Sequence, residues 1–103
     1  MNPLYGYIYI AQRSDQSIKI GTSQTPERRI RQIETASGVA FIDSMIFYSY
    51  NPYGCERHLH KRYGAFRETG EYFYGGDCQV DLYTVATEYL SSRAELVELE
   101  ISK

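Results

Sequence analysis

Hydrophobic and polar positions near the start of the chain predict two short β-strands joined by a turn. Residues 5–12 are apolar and aromatic and rich in strand-forming residues, whereas residues 13–17 are polar and turn-like. Residues 18–22 then resume a strand. The pattern therefore predicts an antiparallel hairpin as the first unit of the fold.

The second of these strands carries one polar side chain among apolar neighbours. Ile18 and Ile20 share one face of the strand, so Lys19 points to the other face. Gly21 closes the strand at a point where a side chain would obstruct either a bend or a ligand. Tyr9 is the corresponding polar residue of the first strand. The hairpin thus offers a phenol and an amine from neighbouring strands.

A helix is predicted directly after the hairpin. Thr25 can cap the free amides of its first turn, Pro26 suits the first helical position, and Glu27 suits the positive end of the helix dipole. We expect the helix to run to about Ser37 and to stop at Gly38.

Shorter patterns predict the remaining elements. Residues 94–101 fit either a helix or a strand, because their apolar residues match both periods. The other predictions are a strand at about 44–50, a turn at 51–54, a helix at about 54–64, a short extended segment at 72–74 and a helix at about 78–92.

The composition fits one small domain whose charge is unevenly distributed. A chain of 103 residues suits a single domain over 1–103. Residues 19–67 hold eight basic and four acidic residues, a net charge of +4. Residues 68–103 hold two basic and eight acidic residues, a net charge of −6. The front part can therefore face a polyanion while the C-terminal part stays acidic.

Several classes of protein are disfavoured by the sequence. The chain opens without the features of a signal peptide, and no apolar run is long enough to span a membrane. Cys55 and Cys78 are too few for a disulfide scaffold, and His58 and His60 diverge from Cys55 on one helix, which disfavours a zinc site. We therefore expect a cytoplasmic or nucleoid-associated protein with no membrane partner.

Five ordered pieces of the sequence carry a family resemblance. Tyr7-Ile8-Tyr9, Lys19-Ile20-Gly21 and Arg29 resemble the motifs of the GIY-YIG nuclease superfamily. Two later pieces resemble its phage T5 Orf172-type branch, which has Lys-Ile-Gly in place of Tyr-Ile-Gly: Glu56-x-x-Leu59-His60 and Arg67-x-x-Gly70-Glu71-Tyr72-Phe73. The resemblance covers about residues 5–75, and a C-terminal helix and acidic tail follow over 78–103.

The resemblance implies both a fold and an activity. The implied fold is α+β, with a small antiparallel sheet of three strands flanked by helices. The implied activity is hydrolysis of DNA phosphodiester bonds by an endonuclease that uses one divalent cation, Mg²⁺ or Mn²⁺. DNA is thus the expected partner, and a homodimer is one arrangement that would supply two active sites for cutting both strands.

Individual residues take catalytic roles through this resemblance. Tyr9 matches the tyrosine of the first motif, a candidate general base for the attacking water. Arg29 matches the helix arginine that stabilises charge on the phosphate. Glu56 matches the glutamate that holds the cation. Lys19 stands where the superfamily usually has a second tyrosine. Its charge, across the hairpin, could supply the field that Tyr9 needs to act as a base at neutral pH. Tyr7 is a further candidate from the first motif.

Some positions differ from the family pattern. Tyr7 replaces a glycine, and Ile33 replaces a histidine often found one helical turn after the arginine. His60 is a candidate stand-in that would contact phosphate or water. Glu71 either joins the metal site or ties down its loop.

Each candidate also has a purely structural interpretation. Tyr7 and Tyr9 share one face of a strand and could both be sheet packing. Glu56 and His60, at positions i and i+4, could form a simple hydrogen bond on a helix face.

Basic side chains outside the motifs are candidate phosphate contacts. They would give affinity for DNA with little sequence readout and a steep salt dependence. Solvated helix faces are an equally ordinary interpretation for about half of them. The set comprises Arg28, Arg31, Arg57, Lys61, Arg62 and Arg67.

Three functions therefore follow from the sequence as hypotheses. The first is a DNA endonuclease of the GIY-YIG type. The second is a DNA-binding module of the same fold without turnover. The third is a protein-interaction domain that uses its aromatic surface, since the chain has eleven Tyr and no Trp.

Overall fold

The computed structural model describes residues 6–75, 81–92 and 96–98, which form an α+β fold. The helices are α1 (Pro26–Ser37), α2 (Pro52–Arg62) and α3 (Leu82–Ser91), and a short 3₁₀ turn spans Gly64–Phe66. The strands are β1 (Gly6–Arg13), β2 (Ile18–Ser23), β3 (Phe41–Ser49), β4 (Arg67–Thr69), β5 (Tyr72–Phe73) and β6 (Leu96–Glu98).

The sheet is larger than predicted. The described residues form one antiparallel sheet of six strands in the order β4-β5-β2-β1-β3-β6, so the expected sheet of three strands is wrong. Its centre, β2-β1-β3, consists of the strands that the hydrophobic pattern predicted. The three added strands have only two or three residues each, too few for a recognisable period of two, although β5 falls within the extended segment predicted at 72–74.

The sheet packs apolar residues on both faces. Ile8, Ile10 and Ile20 face a core that also contains Leu59 of α2 and Leu90 of α3. The opposite face carries a smaller cluster formed by Tyr9, Ile30 of α1 and Ile46. Helices therefore cover the sheet from two sides, and the residues of β1 alternate between the two clusters.

Helix α1 has the predicted bounds but begins differently from the prediction. Gly38 ends the helix with a left-handed φ of 74°, and its amide donates to the Glu34 carbonyl. The Thr25 side chain makes no capping hydrogen bond, so that prediction is wrong. The Thr25 carbonyl accepts the first hydrogen bond of the helix, from Arg29 N at 2.9 Å, so only the side-chain cap is missing.

Helix α2 begins earlier than predicted. Asn51 caps it, since its Oδ1 accepts from Gly54 N at 3.1 Å, and Pro52 takes the first helical position. The predicted turn at 51–54 is therefore the start of the helix. An Asn-Pro pair suits a turn and a capped helix start equally well, which explains the error.

The C-terminal predictions are confirmed in part. Asp81 caps α3 through Thr84 N at 3.1 Å, and residues 78–80 of the predicted helix lie outside the described residues. The ambiguity over 94–101 is resolved at 96–98, which form a strand paired with β3. β3 itself starts at Phe41, earlier than the expected 44. None of the helices in the described ranges has the length and apolar character that crossing a membrane requires.

Candidate functional site

The hairpin register places Tyr9 directly opposite Gly21. A Cβ atom added at Gly21 would lie 2.5 Å from the Tyr9 hydroxyl oxygen and 2.6 Å from the adjacent ring carbon. The side chain that Gly21 must accommodate is therefore the phenol of Tyr9. The glycine lets the Tyr9 ring come close to the backbone of the neighbouring strand.

Burial dominates the electrostatics of Tyr9. The side chain is 1% exposed, and burial, followed by the negative charge of Glu71, raises its pKa to about 12. The guanidinium of Arg29 opposes this shift through its charge and a hydrogen bond to the phenol. The nearby cation of Tyr9 is thus Arg29 rather than the expected Lys19, and in the free protein the phenol keeps its proton at neutral pH.

Lys19 is engaged elsewhere. It pairs in register with Ala11 rather than with Tyr9, and its Nζ lies 2.8 Å from Glu71 Oε1 in an ion pair. The residue is only 8% exposed, and its ammonium also lies 4.9 Å from the centre of the Tyr72 ring. Lys19 therefore compensates the charge of Glu71 in a largely buried position.

Helix α2 brings Glu56 and His60 to the same place. The Nε2–H of His60 donates to the Ile20 carbonyl at 3.0 Å, and its ring packs on Phe73 with centroids 5.1 Å apart. Ligand atoms of Glu56, His60 and Glu71 all lie within 4.8 Å of one another. The predicted pair from α2 and the acid from the loop before β5 thus converge.

The two carboxyl groups of this cluster interact strongly. Burial, then the charge of Glu71 and a hydrogen bond to it, raises the pKa of Glu56 to about 7. Lys19 and Arg57 act in the opposite direction, but their effects are smaller. Two carboxyl groups that share a proton can exchange that proton for a cation, because a divalent ion relieves the same repulsion.

The donor set fits a divalent metal ion. Two carboxylates and one imidazole are ordinary ligands for such ions, and a set of three leaves positions for water or a phosphate oxygen. Within the described ranges this is the one group of three or more residues of ligand type that comes together. Glu71, whose role the sequence left open, both belongs to this group and ties its loop to Lys19.

Among the described residues, Cys55 is not part of a candidate metal site. Cys55 is buried in the core with its Sγ 3.6 Å from Ser49 Oγ, and Cys78 lies outside the described residues. His58 is exposed and stacks on Tyr89 with ring centroids 5.1 Å apart. The Cys55 side chain is therefore a core residue, as its size and polarity suggest.

The remaining candidates do not belong to the cluster. Tyr7 is half-buried and packs edge-to-face against Tyr48, with 5.2 Å between the ring centroids. The phosphate-contact candidates are all exposed, on three elements: Arg28 and Arg31 on α1, Arg57, Lys61 and Arg62 on α2, and Arg67 on β4.

Two of these surfaces have distinct features. Arg28 and Arg31 line a shallow groove on α1 together with Gln32 and Thr35. The Arg67 guanidinium lies 5.5 Å from the centre of the Phe73 ring. The same ring packs against His60.

No feature of the sequence indicated one part of the candidate site, the backbone of Ile20. Its carbonyl accepts from His60, and its amide donates to the Glu71 carbonyl at 3.2 Å. No side-chain pattern marks a backbone group of this kind. A signal did exist for the Tyr9–Gly21 contact, because the hairpin register follows from the length of the turn.

Comparison with known proteins identifies the family. A family model of the T5orf172 domain matches residues 6–92, which contain every residue of the cluster and α3. The match extends beyond the predicted limit of about residue 75. Curated proteins and solved structures gave no match. The predicted resemblance to the T5 Orf172-type branch is therefore confirmed, and the chain belongs to the T5orf172 domain family.

Proposed function

We propose that this protein is a divalent-metal-dependent DNA endonuclease of the GIY-YIG type. Membership of the T5orf172 family is consistent with a nuclease-like or DNA-binding module. The observation that carries the proposal is the convergence of Glu56, His60 and Glu71 beside Lys19 and the Tyr9–Arg29 pair. A hydrolase acting on a phosphodiester needs ligands for a cation, a positive group for the phosphate and a group that orients water.

Arg29 is the proposed phosphate-binding group. It is exposed at the first turn of α1, and it lies close enough to Tyr9 to lower the pKa of that phenol. A planar guanidinium can donate to two phosphate oxygens at once, which an ammonium group cannot do. Arg29 would thus hold the scissile phosphate next to the phenol.

Tyr9 would orient the attacking water. Its pKa of about 12 keeps the hydroxyl protonated in the free protein, so it acts as a base only where additional positive charge lowers that pKa. Arg29 already acts in this direction. In the proposed mechanism the protonated phenol positions water by hydrogen bonding. To act as the base it would first release its own proton to solvent in the loaded complex, and the resulting phenolate would then accept the proton of the attacking water.

The metal would be held by Glu56, with His60 and Glu71 beside it. A bound Mg²⁺ or Mn²⁺ would supply Lewis-acid stabilisation of charge on the phosphate and the leaving oxygen. Lys19 would hold Glu71 in place through its ion pair. Cutting both DNA strands would need a second active site, which a homodimer could provide.

A DNA-binding module without turnover is the second candidate function. The observation that favours it is the burial of Tyr9, which disfavours the phenolate that a base requires. Such a module would use the same exposed basic residues for binding.

Plasmid nicking distinguishes the two functions. Purified protein is incubated with supercoiled plasmid and Mn²⁺, as wild type and as Arg29→Ala, Glu56→Ala and Glu27→Ala. Glu27→Ala is the control, since Glu27 is an exposed residue in the first turn of α1 that belongs to neither the cluster nor the basic set. We expect nicking by wild type and Glu27→Ala, and losses of at least about 100-fold in the two site variants.

Other outcomes decide against the proposal. Nicking that survives both site substitutions would show that the cluster is not the active site. Salt-sensitive DNA binding without nicking would favour the binding module. Absence of DNA binding at low salt would leave the protein-interaction hypothesis.

A further inference from the structure

We propose that Glu56, His60 and Glu71 form a mixed nitrogen and oxygen metal site that selects Mn²⁺ and similar transition-metal ions over Mg²⁺. His60 is then a direct metal ligand, through its Nδ1 atom, and sets the metal preference. The inference rests on the proposed function in that it concerns the same cation, but it predicts metal binding in the absence of DNA.

The hydrogen bond of His60 determines which ring nitrogen is available. Its Nε2 lies 3.0 Å from the Ile20 carbonyl, which can only accept a hydrogen bond, so Nε2 carries the proton. The neutral ring therefore presents the lone pair of Nδ1. Metal-binding histidines usually donate their other N–H to a carbonyl or carboxylate in this way, which fixes the ring and its tautomer.

Glu71 is positioned by the same strand residue. Its backbone carbonyl accepts from the Ile20 amide at 3.2 Å, while Lys19 Nζ binds its Oε1 at 2.8 Å. The ion pair engages only one of the two carboxylate oxygens. Ile20 thus anchors two of the three ligands, one through its carbonyl and one through its amide.

The composition of the donor set carries the metal preference. Mg²⁺ binds oxygen ligands and retains several waters, and Ca²⁺ requires six to eight oxygens, so an imidazole contributes little to either ion. Mn²⁺ and later divalent ions of the first transition row accept imidazole nitrogen as well as carboxylate. A site with one nitrogen and two carboxylate residues should therefore discriminate against the hard ions.

Lys19 is the competing cation at this site. Its ammonium already neutralises one of the two carboxylates. A weakly bound ion such as Mg²⁺ gains little from a site whose net charge is reduced, whereas an ion that also bonds to nitrogen retains an additional interaction. The charge of Lys19 thus works in the same direction as the ligand set.

Metal titration of the full chain without DNA tests the inference. Bound Mn²⁺ is measured by electron paramagnetic resonance and Mg²⁺ by its competition for the same site. The variants are His60→Gln, His60→Ala and His58→Gln. His58 is the matched control, because it lies on the same helix but stacks on Tyr89 away from the cluster. Circular dichroism checks that each variant is folded.

We expect wild type to bind Mn²⁺ at least about tenfold more tightly than Mg²⁺, and His60→Gln to weaken Mn²⁺ binding by about 10- to 100-fold. Mg²⁺ binding should change less than about threefold, since its affinity depends on the carboxylates. Pulsed resonance spectra should show nitrogen coupling to Mn²⁺ in wild type and His58→Gln only. Equal effects on both metals, or no nitrogen coupling, would overturn the inference.

The inference and the proposed function can fail separately. Nitrogen-coupled Mn²⁺ binding without plasmid nicking would support the metal site and contradict the endonuclease. Nicking that proceeds equally well in Mg²⁺ and does not depend on His60 would support the endonuclease and contradict the metal preference. A His60→Gln variant that unfolds would leave His60→Ala and the spectrum of wild type to decide.

Discussion

The phenol of Tyr9 occupies the space that a side chain at Gly21 would need. An added Cβ would lie 2.5 Å from the Tyr9 hydroxyl oxygen, well inside van der Waals contact. Tyr9 is almost fully buried and forms part of the cluster beneath α1, so it has little room to move. The position of this candidate catalytic residue thus depends on the absence of a single methyl group from the adjacent strand.

Gly21→Ala should therefore lower the free energy of unfolding by about 1–3 kcal/mol, the usual cost of overpacking. Urea denaturation measures the change. Gly64→Ala is the control, because a Cβ at Gly64 would meet no atom within 4 Å. Equal stability of the two variants would show that Tyr9 can leave Gly21 freely.

Glu56 should make stability depend on pH. Its pKa is raised from the ordinary 4.5 to about 7 in the folded protein, so the folded state holds a proton that the unfolded chain releases. The free energy of unfolding should thus fall as pH rises from 4.5 to about 7, and then level off.

Glu56→Gln removes this dependence and should stabilise the protein at pH 7.5 by about 1 kcal/mol, a value discounted for solvent screening of a half-exposed group. Thermal or urea unfolding at pH 5 and pH 7.5 measures the effect. Glu68→Gln, an exposed carboxylate on β4, is the control. Stabilisation of equal size at both pH values would contradict the explanation.

Removal of only one partner of the ion pair between Lys19 and Glu71 should lower the free energy of unfolding. Lys19→Met leaves Glu71 close to Glu56 without its compensating cation, so we expect a loss of about 1–3 kcal/mol at pH 7.5. The double variant Lys19→Met/Glu71→Gln should recover most of this loss, as a double-mutant cycle would show. A double variant no more stable than Lys19→Met would mean that packing of the lysine stem dominates.

Each exposed basic side chain that contacts a phosphate should make its own contribution to DNA binding. Its replacement by alanine should reduce the magnitude of the negative slope of log affinity against log salt by about 1. Filter binding or fluorescence anisotropy at several salt concentrations measures the slopes. Arg28, Arg31, Arg57, Lys61 and Arg67 are tested individually, and a variant with an unchanged slope identifies a residue outside the binding surface.

The longer strands and helices could be predicted from the sequence. The hairpin and α1 followed from alternating apolar residues and from Pro26 and Gly38, because these features act locally. The extended segment at 72–74 was predicted, but the pairing of β5 with β2 and β4 was not, since strands of two or three residues form only where a neighbouring strand offers hydrogen bonds.

The candidate site could be predicted only in part. Glu56 was expected to hold the metal and His60 to contact phosphate or water, whereas the role of Glu71 stayed open; the three side chains come together in the structure. The partner of Lys19 was not predictable, because an ion pair between residues 52 positions apart depends on how β5 packs beside β2. The pKa of Tyr9 likewise depends on burial, which only the folded structure determines.

The dual anchoring by Ile20 makes the site sensitive to the integrity of the sheet edge. One amide and one carbonyl of β2 hold groups from α2 and from the loop before β5. If β5 detaches from β2, the cluster loses Glu71 as a neighbour and the Lys19 ion pair at the same time. A ligand that binds all three side chains therefore stabilises the pairing of β5 with β2. Its affinity depends on how often these two strands separate.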